Sequence, residues 1–157
     1  MKVKSFIRQG LELKPVEVEI SLIAGLPKFE IMGLPDTAIK ESQKRIRSAL
    51  KLQGFELPPG KQILINLKPH HLKKTSRGLE LAIAALYLWK TGQLKKPFEL
   101  GDAPYLYGEL SLDGHITMPD DMDLIFQELT EPVVTGLGSG KCFHWLYKID
   151  ELKQLSH

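Results

Sequence analysis

A chain of 157 residues, 43% apolar and 25% charged, has the profile of one ordinary globular domain, too short for a complete motor ATPase or a two-domain dehydrogenase. A lone cysteine, Cys142, forms no internal disulfide, and neither a signal-peptide core nor a membrane-length apolar run is visible, so a reducing, cytoplasmic setting without membrane insertion is expected. The net charge of +2 conceals a polarity: residues 1 to 100 hold 18 Lys and Arg against 9 Asp and Glu, and residues 101 to 157 hold 3 against 10. Such asymmetry suits a basic surface for a polyanion, or a basic face that meets an acidic one on a neighbouring subunit.

Strands dominate the first third. Val16, Val18, Ile20 and Leu22 alternate with polar residues, the period of a strand buried on one face. Lys2 to Arg8 and Lys28 to Met32 look like shorter partners, with a turn at Gly25 to Pro27. The period then changes. Asp36, after Pro35, can cap a helix running to about Gln53, with Gly54 as its stop and Ile39, Ile46, Ala49 and Leu50 as its apolar side.

On the same helix Lys40, Lys44, Arg47 and Lys51 project within about 60° of one another. Only Arg45 has an obvious partner, Glu41, one turn before it. Uncompensated like charges at helical spacing cost a few tenths of a kcal/mol each, so the stripe is either a merely solvated face or a site for an anion or an acidic partner.

A strand over Gln62 to Lys68 leads into a second basic stretch, Lys68 to Arg77, which contains Lys73 and Lys74. Leu79 to Lys90, apolar almost all round, reads as a central core helix ended by Gly92. Two short strands follow, Tyr105 to Leu110 and His115 to Met118, joined at Asp113-Gly114. An acidic helix from Asp120 to about Leu129, a strand near Pro132 to Thr135 and a last helix from Lys148 to Leu155 complete a single α+β domain, expected to carry its helices on a mostly antiparallel sheet.

Several chemical motifs fail on inspection. Residues 135 to 142, TGLGSGKC, resemble a phosphate-binding loop, but Thr135 and Cys142 replace the glycine and hydroxyl residue that the turn and the magnesium require. Phe143, His144 and Trp145 look like a strand, where a phosphate loop needs a helix. His70 and His71 diverge and lack further ligands at metal spacing, so no metal and no cofactor is expected. Cys142 and His144 share a strand face without an orienting third group, and Asp120, Asp121 and Asp123 suit a helix N-terminus.

Three segments carry a family resemblance. Residues 25 to 42, GLPKFEIMGLPDTAIKES, resemble the block GLPxFxIVGLPDTAVKES; residues 65 to 69, INLKP, resemble VNLAPA; and residues 108 to 114 read GELSLDG outright. These are similar to the N-terminal domain signatures of the magnesium-chelatase-like AAA+ ATPases, the ComM/YifB group, in order and spacing across nearly the whole chain. The resemblance implies a fold like ribosomal protein S5 domain 2, shared with the Lon protease domain. It also implies that full-length members add an AAA+ motor, assemble as a hexameric ring and promote branch migration of DNA in recombination and natural transformation. A chain of this length is then either a stand-alone relative or an excised domain.

Kinship with Lon raises a peptidase hypothesis. The family's Ser position falls near Arg77 or Gly78, with Ser76 out of register, and no Lys lies between Lys96 and Lys141 to activate a hydroxyl. Residues 73 to 84 also depart from the family segment PKEGSxFDLPIA, keeping only the acidic-apolar pair Glu80-Leu81. The sequence therefore predicts a non-catalytic domain. Lys40, Lys44, Arg47, Lys51, Lys73, Lys74 and Arg77 would contact DNA phosphates without sequence readout, and a ring of its own copies or an AAA+ motor would be its protein partner. An assembly module without nucleic acid is the alternative, and a Lon-type peptidase a distant third.

Overall fold

The computed structural model describes residues 1–32, 36–57, 60–68, 78–97, 100–124, 131–136, 143–146 and 151–152. Its strands are β1 (Lys2–Gln9), β2 (Glu12–Ala24), β3 (Lys28–Met32), β4 (Lys61–Lys68), β5 (Tyr105–Leu106), β6 (Glu109–Leu110), β7 (Ile116–Thr117), β8 (Val133–Gly136) and β9 (Phe143–Leu146). Two helices, α1 (Asp36–Leu52) and α2 (Leu79–Lys90), interrupt them. The α+β class and the positions of both helices agree with the periodicity of the sequence.

Seven strands form one sheet in the order β3-β4-β2-β1-β5-β8-β9, and β6 and β7 form a separate hairpin. The expectation of a mostly antiparallel sheet is corrected. β1/β2 and β2/β4 are antiparallel, but β3/β4, β1/β5, β5/β8 and β8/β9 run parallel. For β3 and β4 the reason is the α1 crossover between them, since adjacent strands joined through a helix return in the same direction.

The period-2 pattern decides which face is covered. Val16, Val18 and Ile20 of β2, Ile63, Ile65 and Leu67 of β4, and Phe29 and Ile31 of β3 turn toward the helices and join one core. α2 lies at its centre, buried at every position from Leu79 to Trp89, as an all-round apolar helix must be. α1 packs on α2, β3 and β6 through Ile46, Ala49 and Leu50. A smaller cluster of Phe6, Tyr107, Met122 and Val133 lies apart from it. There Phe6 stacks on Tyr105 with ring centroids 5.2 Å apart and meets Tyr107 edge-on at 5.5 Å.

The segment predicted as one strand, Tyr105 to Leu110, divides in two. Residues 105–106 belong to the main sheet and residues 109–110 pair with 116–117. Between them Gly108 donates its N–H to the Gly78 carbonyl at 2.8 Å and accepts the Leu81 N–H at 3.0 Å, so this backbone serves the start of α2 instead of a strand. The approach is possible because residue 78 is glycine: a Cβ there would sit 2.1 Å from the Tyr107 ring.

The acidic helix expected from Asp120 is a 3-10 turn, Asp120–Leu124, held by the Met122 N–H on the Pro119 carbonyl at 3.2 Å and by Tyr107 donating to Asp121 at 2.9 Å. Residues 125–130 of that prediction, most of the predicted last helix, and His70, His71 and Cys142 lie outside the described residues. The strand expected at Phe143 is present as β9.

Candidate nucleic-acid interface

α1 positions the stripe. Its C-terminus is closed by a Schellman arrangement in which Gly54, at φ +86, donates to the Lys51 carbonyl at 3.1 Å and Phe55 donates to that of Leu50 at 2.9 Å. Four polar side chains then fix the helix to its surroundings. Gln43 donates to the Phe29 carbonyl of β3 at 2.6 Å, Ser48 to the Leu112 carbonyl at 2.8 Å, and Gln53 to the Asp113 carbonyl at 2.6 Å. Arg45 reaches inward to Glu80 of α2 at 2.5 Å.

That last contact was not legible in the helical spacing, which paired Arg45 with Glu41. The Glu41 contact exists but is long, 3.9 Å. Glu80 is fully buried and accepts the Leu110 N–H at 3.3 Å with its other oxygen, so one carboxylate joins α1, α2 and the β6–β7 hairpin. The signal was available: a carboxylate in the first turn of an otherwise apolar, buried helix needs a cationic or N–H partner.

Lys40, Lys44, Arg47 and Lys51 are all exposed on the opposite side of α1. Among the described residues none of the four meets a carboxylate. The sheet face opposite the helices differs. There Lys2 pairs with Glu17 at 3.2 Å, Lys68 with Glu19 at 3.1 Å, Lys28 with Glu30 at 3.6 Å, and Lys4 with Glu131 at 3.8 Å. Lys4 also lies 4.7 Å from the centroid of the Tyr105 ring. The Lys68 contact holds Glu19 below the usual carboxylate range. Lys73, Lys74 and Arg77, the remaining predicted phosphate contacts, lie outside the described residues.

The Asp113-Gly114 turn forms a polar knot beside α1. Ser111 donates to Asp113 at 2.5 Å and His115 Nδ1 lies 2.7 Å from the same oxygen. The Ser111 bond, then His115, holds the Asp113 carboxyl well below its ordinary range. The Ser111 hydroxyl donates to the Asp113 carboxylate and, at 3.3 Å, to the His115 backbone carbonyl, and it accepts the His115 N–H at 3.1 Å, so these residues lock the turn. Gly114, at φ +92, lets the turn touch Gln53; a Cβ there would fall 2.4 Å from its Cγ.

Among the described residues no group of three His, Cys, Asp or Glu side chains could hold a metal, and no described helix is long and apolar enough to cross a membrane.

Comparison with known proteins gives the chain a family. The family described as subunit ChlI of Mg-chelatase matches residues 16–130. An Escherichia coli protein named YifB is 39% identical over 105 residues, 67% of this chain and 20% of that protein. Competence protein ComM of Haemophilus influenzae is 36% identical over 118 residues, 73% of this chain and 22% of its own length. An uncharacterized protein of Mycobacterium tuberculosis is 38% identical over 108 residues, 69% of this chain and 21% of that protein. The chain thus matches about a fifth of the length of these curated relatives. The chain belongs to the magnesium-chelatase-like ComM/YifB family, and it corresponds to that family's N-terminal region.

Proposed function

We propose that this is a non-catalytic, DNA-contacting and ring-assembly domain of, or related to, a ComM/YifB-type AAA+ helicase of DNA recombination, branch migration and natural transformation. It would act in the cytoplasm and carry the S5-domain-2-like fold shared with Lon. The observation behind the proposal is the row of four exposed cations on α1, which meet no carboxylate among the described residues, in a protein that pairs the lysines on its opposite sheet face. Such a row gains affinity by releasing the counterions of a polyanion. A Lon-type reading has less support, because Tyr107 occupies the space beside Gly78 at the start of α2 and no Lys lies between Lys96 and Lys141.

An electrophoretic shift assay at low and moderate salt tests the proposal. The chain should retard DNA at low salt and lose it as salt rises; absence of binding at low salt, or binding unchanged after Lys40, Lys44, Arg47 and Lys51 are replaced by Glu, would overturn it.

A second reading, docking of the basic half of one copy on the acidic half of the next, is favoured by a different observation. Leu52 is 66% and Leu112 58% exposed, and Ser48, one helical turn before Leu52, bonds the Leu112 carbonyl. Head-to-tail contacts of that kind close into rings or propagate as filaments. Sedimentation across a salt series decides it: a monomer at every concentration and salt removes this reading.

A further inference from the structure

We infer that the α1 face takes a nucleic-acid duplex in preference to a single strand, and that it does so as a rigid row of point charges on the phosphate backbone. The inference rests on the reading of the domain as DNA-contacting and adds the form of the ligand.

Length is the first ground. From Lys40 to Lys51 the row covers twelve residues, eleven helical rises, so its ends stand about 16 Å apart. A mononucleotide or a single phosphate occupies only one end of it. The ligand must be extended, with anionic groups repeated along its length.

Stiffness is the second. Gln43, Arg45, Ser48 and Gln53 bind four separate carbonyl or carboxylate acceptors on β3, α2 and the hairpin turn. These four contacts tie the helix to the rest of the domain, so the backbone positions that carry the cations are set before the ligand arrives, as suits a ligand that is itself stiff. Glu41, beside the row on the same helix, stands 3.9 Å from Arg45.

The third ground is what the face lacks. Binding to single strands draws about 1–3 kcal/mol per base from stacking on aromatic rings. Every aromatic ring among the residues with described side chains is buried or half-buried: Phe6, Phe29, Tyr87, Trp89 and Tyr107 are buried, and Phe55 and Tyr105 are partly covered. The surface around the row offers Ser48, Leu52 and Leu112 instead. With no described ring free on this face for stacking, counterion release is the source of affinity that the described residues supply. It is larger on a duplex, where one charge occurs per roughly 1.7 Å of axis and the logarithmic salt slope is about −0.9 per contact, against about −0.7 on single strands.

Fluorescence anisotropy of the whole chain decides this, with a labelled duplex of about 20 base pairs compared with an oligothymidine of equal length between about 50 and 200 mM salt. The expected result is duplex affinity about tenfold or more above that for the single strand, with a duplex salt slope that flattens by about 3 to 4 when all four cations become Gln. Circular dichroism checks that the variant stays folded, and single replacements, each expected to flatten the slope by about 1, serve if it does not. Equal or tighter binding of oligothymidine, with the same dependence on the four cations, would overturn the duplex preference and leave DNA contact standing. A slope that the replacements leave unchanged would overturn the row as the site. Failure to bind either form at the lowest salt would remove the underlying reading as well.

Discussion

The sheet face opposite the helices and the outer face of α1 carry four lysines and four cations respectively, and the molecule treats them in opposite ways. Lys2, Lys4, Lys28 and Lys68 each stand within 4 Å of a glutamate, three of them in the sheet itself. On α1 a glutamate is close at hand, but Glu41 turns to Arg45. That the row is unpaired among the described residues is therefore not a shortage of anions. Neutralising a face is easy where strands bring side chains opposite one another, as Glu17 and Lys68 are in the β2/β4 register. Leaving a row of cations without partners on a helix costs a little stability and keeps the charge available to something outside the chain.

The comparison breaks first if the two faces bind alike. Changing Lys40, Lys44, Arg47 and Lys51 to Gln should lower duplex affinity by roughly a hundredfold or more near physiological salt, whereas changing Lys2, Lys4, Lys28 and Lys68 should alter it by only a few-fold. Anisotropy titrations of the two quadruple variants measure this, and equal losses would mean that net charge alone is responsible.

Next in size is the inner cation. Arg45→Ala leaves the Glu80 carboxylate buried without its cation and should cost about 3 kcal/mol in urea unfolding, far more than any change to the exposed row. Stability unchanged within error would show that Glu80 needs no cation.

Smaller still is Tyr87, whose hydroxyl donates to the Glu56 carbonyl just beyond α1 and, pushed by burial, titrates at about 12. Because the folded value lies above that of an unfolded tyrosine, near 10, this group stabilises the fold below about pH 10 and withdraws that support as pH rises toward 12. Tyr87→Phe should cost about 1 kcal/mol at neutral pH and flatten the alkaline limb of the stability curve. An identical alkaline limb would count against the assignment.

The smallest effect is on the paired face. Glu19 is held low mainly by Lys68, so its contribution is present above the ordinary glutamate range and fades as pH falls through the lowered value. Lys68→Gln should flatten that acid limb by less than about 1 kcal/mol, as exposed pairs do. A larger change would show that the sheet face is more than a solvated surface.

Much of the fold was legible because burial imposes a period. β2, β4 and α2 were readable from alternation or from continuous apolar character. What escaped were contacts set by distant backbone. Tyr105 to Leu110 looks like one strand until Gly78 brings the start of α2 against Gly108, and no local pattern predicts that meeting. The stripe on α1 was legible since helix geometry alone places Lys40, Lys44, Arg47 and Lys51 together. The role of Arg45 was not, because its stronger partner lies 35 residues away on another helix. The oddity of a glutamate in the most apolar helix was the clue, and it pointed to a need for a partner without saying which one.

The Arg45–Glu80 contact has a mechanical consequence. If the outer row holds a ligand, a pull on α1 away from the core would have to separate the Arg45 guanidinium from a fully buried carboxylate. Such a load would pass through Glu80 to α2 and through the Leu110 N–H to the hairpin. Tension applied at the surface would thereby reach the innermost helix.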